Sequence, residues 1–214
     1  MTERLVLALD TATVVNVGLA RGSQVLAVAT LADRMAHAES LMPLVADTLA
    51  RAGVRVADLD QIVVGLGPGP FTGLRVGVVT AQILTTVAGL SLHGVCSLDV
   101  LAAEHAAAGT DGEFVVATDA RRREVYWAGY AADGTRLSGP AVDRPDAVPR
   151  RPTIGPAGDL YPDQLAVVAG PRGLDPGVMA VAGPALPDAG REPLYLRRPD
   201  ATEPSRPKSV LRAR

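Results

Sequence analysis

The sequence predicts an α/β protein built from two related halves. Short apolar strands alternate with helical patterns, and in each half an apolar strand ends at an aspartate that is followed by a polar turn and a second strand. Setting LALDTATVVNVGLA beside VATDARRREVYWAGY places Asp10 opposite Asp119 and Val17 opposite Tyr126. We interpret this match as an ancient duplication; the alternative is a chance similarity between two hairpins.

The first half begins with three strands and continues with helices. Period-two and apolar patterns predict strands over 4–9, 15–19 and 25–30, which form a three-stranded meander. An amphipathic helix follows, in which apolar residues recur at spacings of three and four. Pro43 must lie in the first turn of this helix or kink it, because proline has no amide hydrogen. The remaining predicted elements are a strand over 62–66, a helix over 73–88, a strand over 92–95 and a helix over 98–108.

The second half repeats this order in a shorter form. Strands are predicted over 114–118 and 125–130, and beyond residue 138 proline and glycine become dense and the helical pattern fades. The order strand, strand, strand, helix is the one that actin-like and sugar-kinase-like folds repeat. We therefore predict a duplicated, two-lobed actin-like (ribonuclease H-like) α/β fold with a reduced second lobe. The predicted divisions are a first lobe over 1–108, a smaller lobe over 109–198 and a disordered tail over 199–214.

Composition narrows the function classes. The chain has 214 residues, is 48% hydrophobic and has a net charge of −2, so it does not carry the excess of basic residues that strong nucleic-acid binding by the chain alone would need. With one cysteine, Cys96, it can form no internal disulfide. The uncharged stretch 76–92 approaches the length of a membrane span, but its Thr, Gln, Ser and Gly residues make it too polar. We predict a cytoplasmic protein that does not enter a membrane.

The most specific segment is the glycine-rich run GLGPGPFTGLR over 65–75. Glycines between a strand and a helix let the backbone approach a ligand or another chain closely, and helix N-termini attract anions. Thr72 is well placed to cap the following helix. The alternative is a tight turn that packs strand onto helix without any ligand. The run is not a phosphate-binding P-loop, because no Gly-Lys-Ser/Thr follows.

Five segments together resemble the TsaB family of bacterial tRNA threonylcarbamoyladenosine biosynthesis proteins. They are ALDTAT near the start, HAESLMPLV, GPGPFTGLR, DARRREVYWAGY and the late PLYLRRPD. The resemblance implies an actin-like subunit that pairs with a catalytic paralogue, TsaD, and is joined by a small ATPase, TsaE. In that assembly TsaD transfers threonylcarbamoyl to N6 of adenosine 37 in tRNAs that read ANN codons, and this chain reaches tRNA only through the complex. The resemblance implies a scaffold, not an enzyme.

The residues that would carry chemistry support the non-catalytic interpretation. The catalytic paralogue holds its metal with two histidines at i and i+4, and the corresponding positions here are Ser97 and Leu101, so we predict no metal site. The three histidines show no ligand spacing and are expected to be structural or surface residues. Ser97 lacks a positioned histidine and acid, so it is not predicted to be a nucleophile.

A degenerate nucleotide site, or a contact with tRNA or nucleotide, is predicted where the two aspartate turns and the glycine run lie. The second-lobe turn carries arginines and no glycine, so bulky side chains would obstruct a phosphate held by backbone amides. Arginine can still bind phosphate by charge, and a solvated turn is the alternative. We expect no cofactor in the isolated chain and leave ATP or ADP as a ligand of the assembled complex. The predicted residues are Asp10, Thr11, Gly67, Gly69, Thr72, Asp119, Arg121 and Arg122.

The partner interface is predicted on the two first-lobe helices. The second helix is apolar on two sides, one with Leu74 and Val78 and the other with Val79 and Val87, so one side needs a cover beyond its own sheet. The chain's own second lobe is one candidate cover; the resemblance favours the catalytic subunit, with homodimerisation when the chain is alone. The predicted interface comprises Leu41, Leu44, Thr48, Gly73, Val76, Gly77, Thr80 and Ile83.

Two other function classes stay open. An ATP-dependent kinase or acyltransferase of the actin-like superfold is disfavoured by the missing second-lobe glycines, and ATP binding by the isolated chain would favour it. A metallopeptidase is disfavoured by the missing histidine pair, and a tightly bound metal would favour it.

Overall fold

The computed structural model describes residues 3–32 and 37–197, and in the first helix it describes side chains from residue 40 onward. The predicted tail over 199–214 and the side chain of His37 lie outside the described residues. The elements alternate as the sequence predicts, with short 3-10 turns between some of them. The strands are β1 Leu5–Asp10, β2 Val15–Arg21, β3 Gln24–Leu31, β4 Gln61–Gly65, β5 Ser91–Val95, β6 Phe114–Asp119, β7 Val125–Tyr130, β8 Arg136–Asp143 and β9 Thr153–Ile154. The helices are α1 His37–Arg51, α2 Phe71–Ala88, α3 Ser97–Ala107, α4 Ala157–Leu160 and α5 Pro176–Ala182.

The described strands form two sheets with the same topology. The first has five strands in the order β3-β2-β1-β4-β5 and the second has four in the order β8-β7-β6-β9. In each, an antiparallel meander of three strands is extended by a parallel strand, β4 beside β1 and β9 beside β6. The second sheet has no counterpart of β5 among its described strands. The predicted α/β fold, duplicated with a reduced second half, is confirmed.

The first sheet is covered on both faces. Alternate side chains of a strand point to opposite faces, so the run LVLAL of β1 divides into two sets. Leu5, Leu7 and Leu9 pack with α1 and α2 in one apolar cluster. Val6 and Ala8 pack on the other side, in a cluster that contains Met179 of α5. Because both faces are covered, β1 reads as a continuous apolar strand and not as an alternating one.

Helix α3 packs with the second sheet although it follows the first in sequence. Its Leu98 and Leu101 share an apolar cluster with Phe114 and Tyr130 of that sheet. The Tyr130 hydroxyl donates to Oδ1 of Asp99 at 2.8 Å in the buried part of this contact. Helix α5, in contrast, comes late in the chain and packs against β1, β2 and β3. Each predicted lobe therefore contributes one helix to the sheet of the other. The lobe boundaries themselves stay a prediction.

Two details of the helices differ from the sequence prediction. Pro43 is the seventh residue of α1, so of the two predicted alternatives the position in the first turn is wrong, and a kink stays a prediction. Helix α2 begins at Phe71, two residues earlier than predicted, and its N-cap is Pro70. Beyond residue 138, where the pattern faded, the chain forms most of β8 and then β9, α4 and α5.

Among the described residues, α2 is the one helix long and apolar enough to cross a membrane by length and composition. Its Leu74, Val78 and Ala81 are buried in the chain. The helix contacts β1, β4 and β5, so it forms one layer of the first half of the fold. We therefore interpret α2 as a packed helix of this layer with one apolar side left uncovered.

Candidate functional site

The first turn, residues 10–13, follows β1 and holds a buried carboxylate. Asp10 is 2% exposed. Its Oδ1 accepts the Ala12 amide hydrogen at 3.0 Å, and its Oδ2 accepts the Ser97 hydroxyl at 2.5 Å. Burial raises the pKa of Asp10, and the hydrogen bonds from Ser97 and Ala12 oppose that rise. The carboxylate is therefore fully engaged within the chain.

The glycine loop, residues 66–70, closes over this turn. Ser97 connects the two, because its hydroxyl accepts the Gly67 amide hydrogen at 3.2 Å while its own amide donates to the Gly67 carbonyl at 2.8 Å. A Cβ on Gly65 would lie 2.0 Å from Asp10 Oδ2, and one on Gly69 would lie 2.6 Å from the Ala12 carbonyl oxygen. Glycine is needed at both positions for close packing of backbone against the turn.

The first two helical turns of α2 pack against the same residues, 10–13. The Thr11 hydroxyl donates to the Gly73 carbonyl at 2.8 Å. A Cβ on Gly77 would come within 2.4 Å of Thr11 Oγ1. The structure thus brings together Asp10, Thr11 and the glycines of the predicted site, as the sequence indicated. Their polar groups bind one another.

Thr72 is not the N-cap of α2. It was predicted to cap α2, but the helix starts at Phe71, so Thr72 is its second residue and is exposed. Neither Pro70 nor any other side chain makes the N-cap hydrogen bond among the described residues. At the helix start the Leu74 amide donates to the Pro70 carbonyl at 3.1 Å.

The second turn, residues 119–124, has the same opening and a different continuation. Asp119 Oδ1 accepts the Arg121 amide hydrogen at 2.8 Å, which matches the bond from Ala12 to Asp10. After Ala120, the three residues Arg121–Arg123 are exposed and have left-handed backbone conformations with φ of 59°, 54° and 61°. We call Arg121–Arg123 the arginine turn. Glycine is usual in this conformation, so three arginines there are a distinctive feature.

The segment of residues 183–197 links the glycine loop to the second turn. The Leu194 amide donates to the Leu66 carbonyl at 2.8 Å in the glycine loop. Arg197 donates from Nη1 to the Ala120 carbonyl at 2.9 Å and forms an ion pair with Glu124. Arg197 was not among the predicted site residues. The segment PLYLRRPD carries it, but its role depends on contacts across the fold that sequence spacing does not reveal.

His93, His105 and Cys96 take structural positions. His93 Nε2 is 2.9 Å from the Leu186 carbonyl oxygen, and His105 packs edge-on against Phe114 with ring centroids 4.8 Å apart. Cys96 is buried, and desolvation raises the pKa of its thiol to about 12. Across residues 3–32 and 37–197 no group of three or more His, Cys, Asp or Glu side chains lies close enough to hold a metal.

The predicted interface residues divide into two sets. Leu41, Thr48, Gly73 and Gly77 are buried inside the chain, so a partner does not reach them, and they are corrected to packing positions. Thr48, for example, donates its hydroxyl to the Leu44 carbonyl at 2.7 Å within α1. The other four are accessible in part or whole: Leu44, Val76, Thr80 and Ile83.

The outer stripe of α2, which we define as Val76, Val79, Thr80, Ile83 and Val87, is the most exposed apolar feature of this helix. Val79 is 49% exposed, Ile83 57% and Val87 82%. These positions repeat every three or four residues and therefore lie along one side of the helix. Among the described residues Val79, Ile83 and Val87 keep about half or more of their surface exposed, so much of this side stays accessible, and its cover by a partner stays a prediction.

Comparison with known proteins gives one consistent result. The family model described as TsaD, tRNA N6-adenosine threonylcarbamoyltransferase, matches residues 27–171. The tRNA threonylcarbamoyladenosine biosynthesis protein TsaB of Escherichia coli is 33% identical over 171 residues, which cover 74% of each chain. An uncharacterized protein of Mycobacterium tuberculosis is 45% identical over 204 residues, or 92% of this chain and 93% of its own. The solved structure of YeaZ from Pseudomonas aeruginosa has a TM-score of 0.74 and 27% identity, covering 90% of this chain and all of that one.

Proposed function

This chain belongs to the TsaB family and acts in tRNA threonylcarbamoyladenosine biosynthesis, and we propose that it does so as a non-catalytic scaffold. In this proposal it pairs in the cytoplasm with a catalytic paralogue of the TsaD type, joined by a TsaE-like ATPase, and meets ANN-decoding tRNA as part of that assembly. Threonylcarbamoyl transfer to adenosine 37 is then the paralogue's reaction. When alone, the chain pairs with a second copy through the same surface.

The outer stripe of α2 is the observation that carries the pairing proposal. Val79, Ile83 and Val87 present apolar side chains to solvent on one side of a helix whose other side is packed. Fully burying a side chain of this size contributes about 1.5–3 kcal/mol, so three of them supply a substantial part of the free energy of a stable interface. Val76 and Thr80 are half-buried beside them and extend the contact toward the start of the helix.

The first turn supports the non-catalytic part of the proposal. Asp10 has the position of the strand-end carboxylate that active members of the superfold use to organise metal and phosphate. Here both carboxylate oxygens accept hydrogen bonds from the chain itself. The glycine loop packs against the same turn, and Thr11 also bonds within the chain, to the Gly73 carbonyl.

Reconstitution tests the role. We expect threonylcarbamoylation of tRNA by the purified components of one organism to require this chain, while the chain alone does not hydrolyse ATP. Modification at the same rate without the chain would contradict the scaffold role. ATP turnover by the isolated chain would instead favour the kinase or acyltransferase alternative, and a tightly bound, stoichiometric metal would favour the peptidase alternative.

A paired substitution tests the surface. Ile83→Arg places a charge in the stripe, and we expect it to abolish co-elution with the paralogue, since a charge buried without a partner costs several kcal/mol. Leu160→Arg in α4 is the matched control, because Leu160 is 56% exposed and Ile83 is 57% exposed. Both variants should keep the circular dichroism spectrum of the parent chain. Co-elution that survives Ile83→Arg would remove the stripe from the interface.

A further inference from the structure

The two described sheets have four outer edges, formed by β3 and β5 in the first sheet and by β8 and β9 in the second. An edge strand presents a row of amides and carbonyls that can pair with a strand of another chain. Proteins prevent such pairing by covering the edge with another segment, or by placing charges, proline or an irregular register on it. The four edges of this chain differ in which of these protections they have.

The edges at β5 and β9 are covered from within the chain. Beside β5, residues 189–191 run along the strand, and the Ala189 amide donates to the Gly94 carbonyl at 2.8 Å. Beside β9, residues 166–168 pair with Thr153 through two backbone hydrogen bonds of 2.8 Å and 3.0 Å. Neither edge is therefore open to another strand at these residues.

Strand β8 carries the other protections. Arg136 and Asp143 place a charge at each end of the strand, and Pro140, which has no amide hydrogen to donate, lies within it. The register between β8 and β7 also shifts at two places. Charge, proline and irregular register together disfavour the addition of a further strand beside β8.

Strand β3 has the same position in the first sheet as β8 has in the second, but it has few of these protections. Its sequence, QVLAVATL, contains no charge and no proline. The one register shift with β2 lies near the start of the strand, and residues 27–31 pair regularly with β2. Val25 is 45% exposed and Val28 is 44% exposed. An uncharged, proline-free edge with accessible β-branched side chains is typical of strands that pair with another chain.

The backbone of β3 presents hydrogen-bonding groups at this edge. Successive residues of an antiparallel strand direct their amide and carbonyl alternately toward the neighbouring strand and away from it. The Val28 carbonyl points away from β2, because it accepts a 3.4 Å hydrogen bond from Arg51 of α1 at an exposed site. Thr30, two residues later, has the same orientation. Within residues 3–32 and 37–197, no hydrogen bond reaches the Val28 amide or the backbone of Thr30 from outside the sheet.

We propose that β3 pairs in antiparallel orientation with β3 of a second copy of this chain, so that the two five-stranded sheets become continuous. A two-fold axis at Val28 places this residue opposite its own copy. The flanking pairs are then Ala27 with Ala29 and Leu26 with Thr30. No like charges meet, and a pair of β-branched side chains at the axis is favourable.

A second copy fits this edge because the strand is complementary to itself. The segment 24–31 has no charge that would attract an acidic or a basic peptide. At the axis, the Val28 amide of one copy donates to the Val28 carbonyl of the other, and this bond replaces the long one from Arg51. The surface does not include the outer stripe of α2, so the inference does not rest on the proposed pairing with the catalytic paralogue.

The test uses the full chain with Ile83→Arg, which removes pairing through the outer stripe. We expect sedimentation velocity at micromolar concentration to show a dimer. Adding Val28→Lys should halve the mass to that of a monomer, because two lysines then face each other at the axis. Leu137→Lys is the matched control, since Leu137 is 55% exposed and lies on the equivalent edge strand β8, and it should leave the dimer intact. Circular dichroism checks that each variant is folded.

Amide hydrogen exchange gives a second readout that does not depend on the folding of Val28→Lys. In the Ile83→Arg chain, the Val28 and Thr30 amides should be protected at high protein concentration and exchange rapidly on dilution. The Ala29 amide, which points toward β2, should be protected at both concentrations.

A monomeric Ile83→Arg chain would overturn the proposal, and so would a dimer that survives Val28→Lys. Protection of the Val28 amide that appears only when the catalytic paralogue is added would overturn it in favour of a strand from that partner. Co-elution of the parent chain with the paralogue is measured in a separate experiment. Its failure therefore counts against the proposed function and leaves the result for β3 unaffected.

Discussion

The two aspartate turns are equivalent in topology and opposite in environment. Asp10 pairs with Asn16 across its hairpin and Asp119 pairs with Val125, six residues on in both cases. Each carboxylate accepts the amide hydrogen of the residue two positions later. Asp10, however, is buried under the glycine loop and hydrogen-bonded to Ser97, whereas Asp119 is half-buried and is followed by exposed arginines.

This difference shows how one duplicated hairpin can serve two purposes. In the first half, glycines and the Ser97 hydroxyl fill the space around the carboxylate, so the turn contributes to the packing of sheet against helix. In the second half, the turn stays at the surface and presents charge. The hairpin register is common to both, and the neighbouring elements decide what the turn does.

The largest effect is expected from filling the first turn. Gly65→Ala places a methyl group 2.0 Å from the buried Asp10 carboxylate, so carboxylate, loop or strand must shift. We expect the free energy of unfolding to fall by about 3 kcal/mol or the chain to misfold. Gly173→Ala is the control, since a Cβ there meets no atom within 4 Å. Denaturant unfolding monitored by circular dichroism measures both, and equal stabilities would show that the first turn is not tightly packed.

Removing the two carboxylates compares the turns directly. Asp10→Ala leaves the Ser97 hydroxyl and the Ala12 amide without their buried acceptor, at a cost of about 1–3 kcal/mol. Asp119→Ala removes one hydrogen bond at a more accessible site and should cost about 0.5–1 kcal/mol. The same unfolding measurement separates them. If Asp119→Ala proved as costly as Asp10→Ala, the two environments would not differ as described.

Burial of Asp10 also predicts a pH dependence. Its pKa is raised above the ordinary value of 3.8, so as pH rises through that value the unfolded chain loses the proton while the folded chain retains it. The parent chain should therefore lose stability relative to Asp10→Asn as pH rises from 4 until it passes the raised pKa of the folded state. Unfolding free energies of both proteins at intervals between pH 4 and pH 8 test this. A difference that stays constant across this range would contradict the predicted shift.

The smallest effect is expected at the arginine turn. In the double variant Arg121→Gly, Arg123→Gly, glycine replaces two residues whose left-handed backbone is strained by a side chain, so the folded state is stabilised. Part of this stabilisation is offset because glycine gives the unfolded chain more conformational entropy. We expect the free energy of unfolding to rise by roughly 0.4 kcal/mol. A thermal or denaturant melt of the double variant checks the sign. A clear loss of stability would show that the arginines also stabilise the fold.

The sequence predicted much of the site because its signals are local. The apolar strand that ends at Asp10, the glycine run and the second aspartate turn are each readable within a few residues. Ser97 was weighed as a metal ligand and as a nucleophile, and its actual role as the hydrogen-bond donor to Asp10 depends on a contact between residues 87 positions apart. Arg197 reaches Ala120 over 77 positions and was missed for the same reason.

The interface prediction shows the limit of helical periodicity. It identified the two apolar sides of α2, because spacing along one helix fixes which side chains share a side. It assigned Gly73 and Gly77 to a partner because small residues permit close approach, and the structure shows that Thr11 of the same chain uses that space. The sheet against which α2 packs decides which side of the helix is buried inside the chain.

The sequence by itself determined the order of strands and helices as far as residue 130, the duplication, and the TsaB family, because these depend on local pattern and on motifs. Only the tertiary structure decided that α3 packs with the second sheet, that α5 covers the first, and that residues 183–197 bridge the glycine loop and the second turn. Those contacts join distant segments through burial and backbone hydrogen bonds. Such interactions depend on shape in three dimensions and leave little trace in the spacing of residues along the chain.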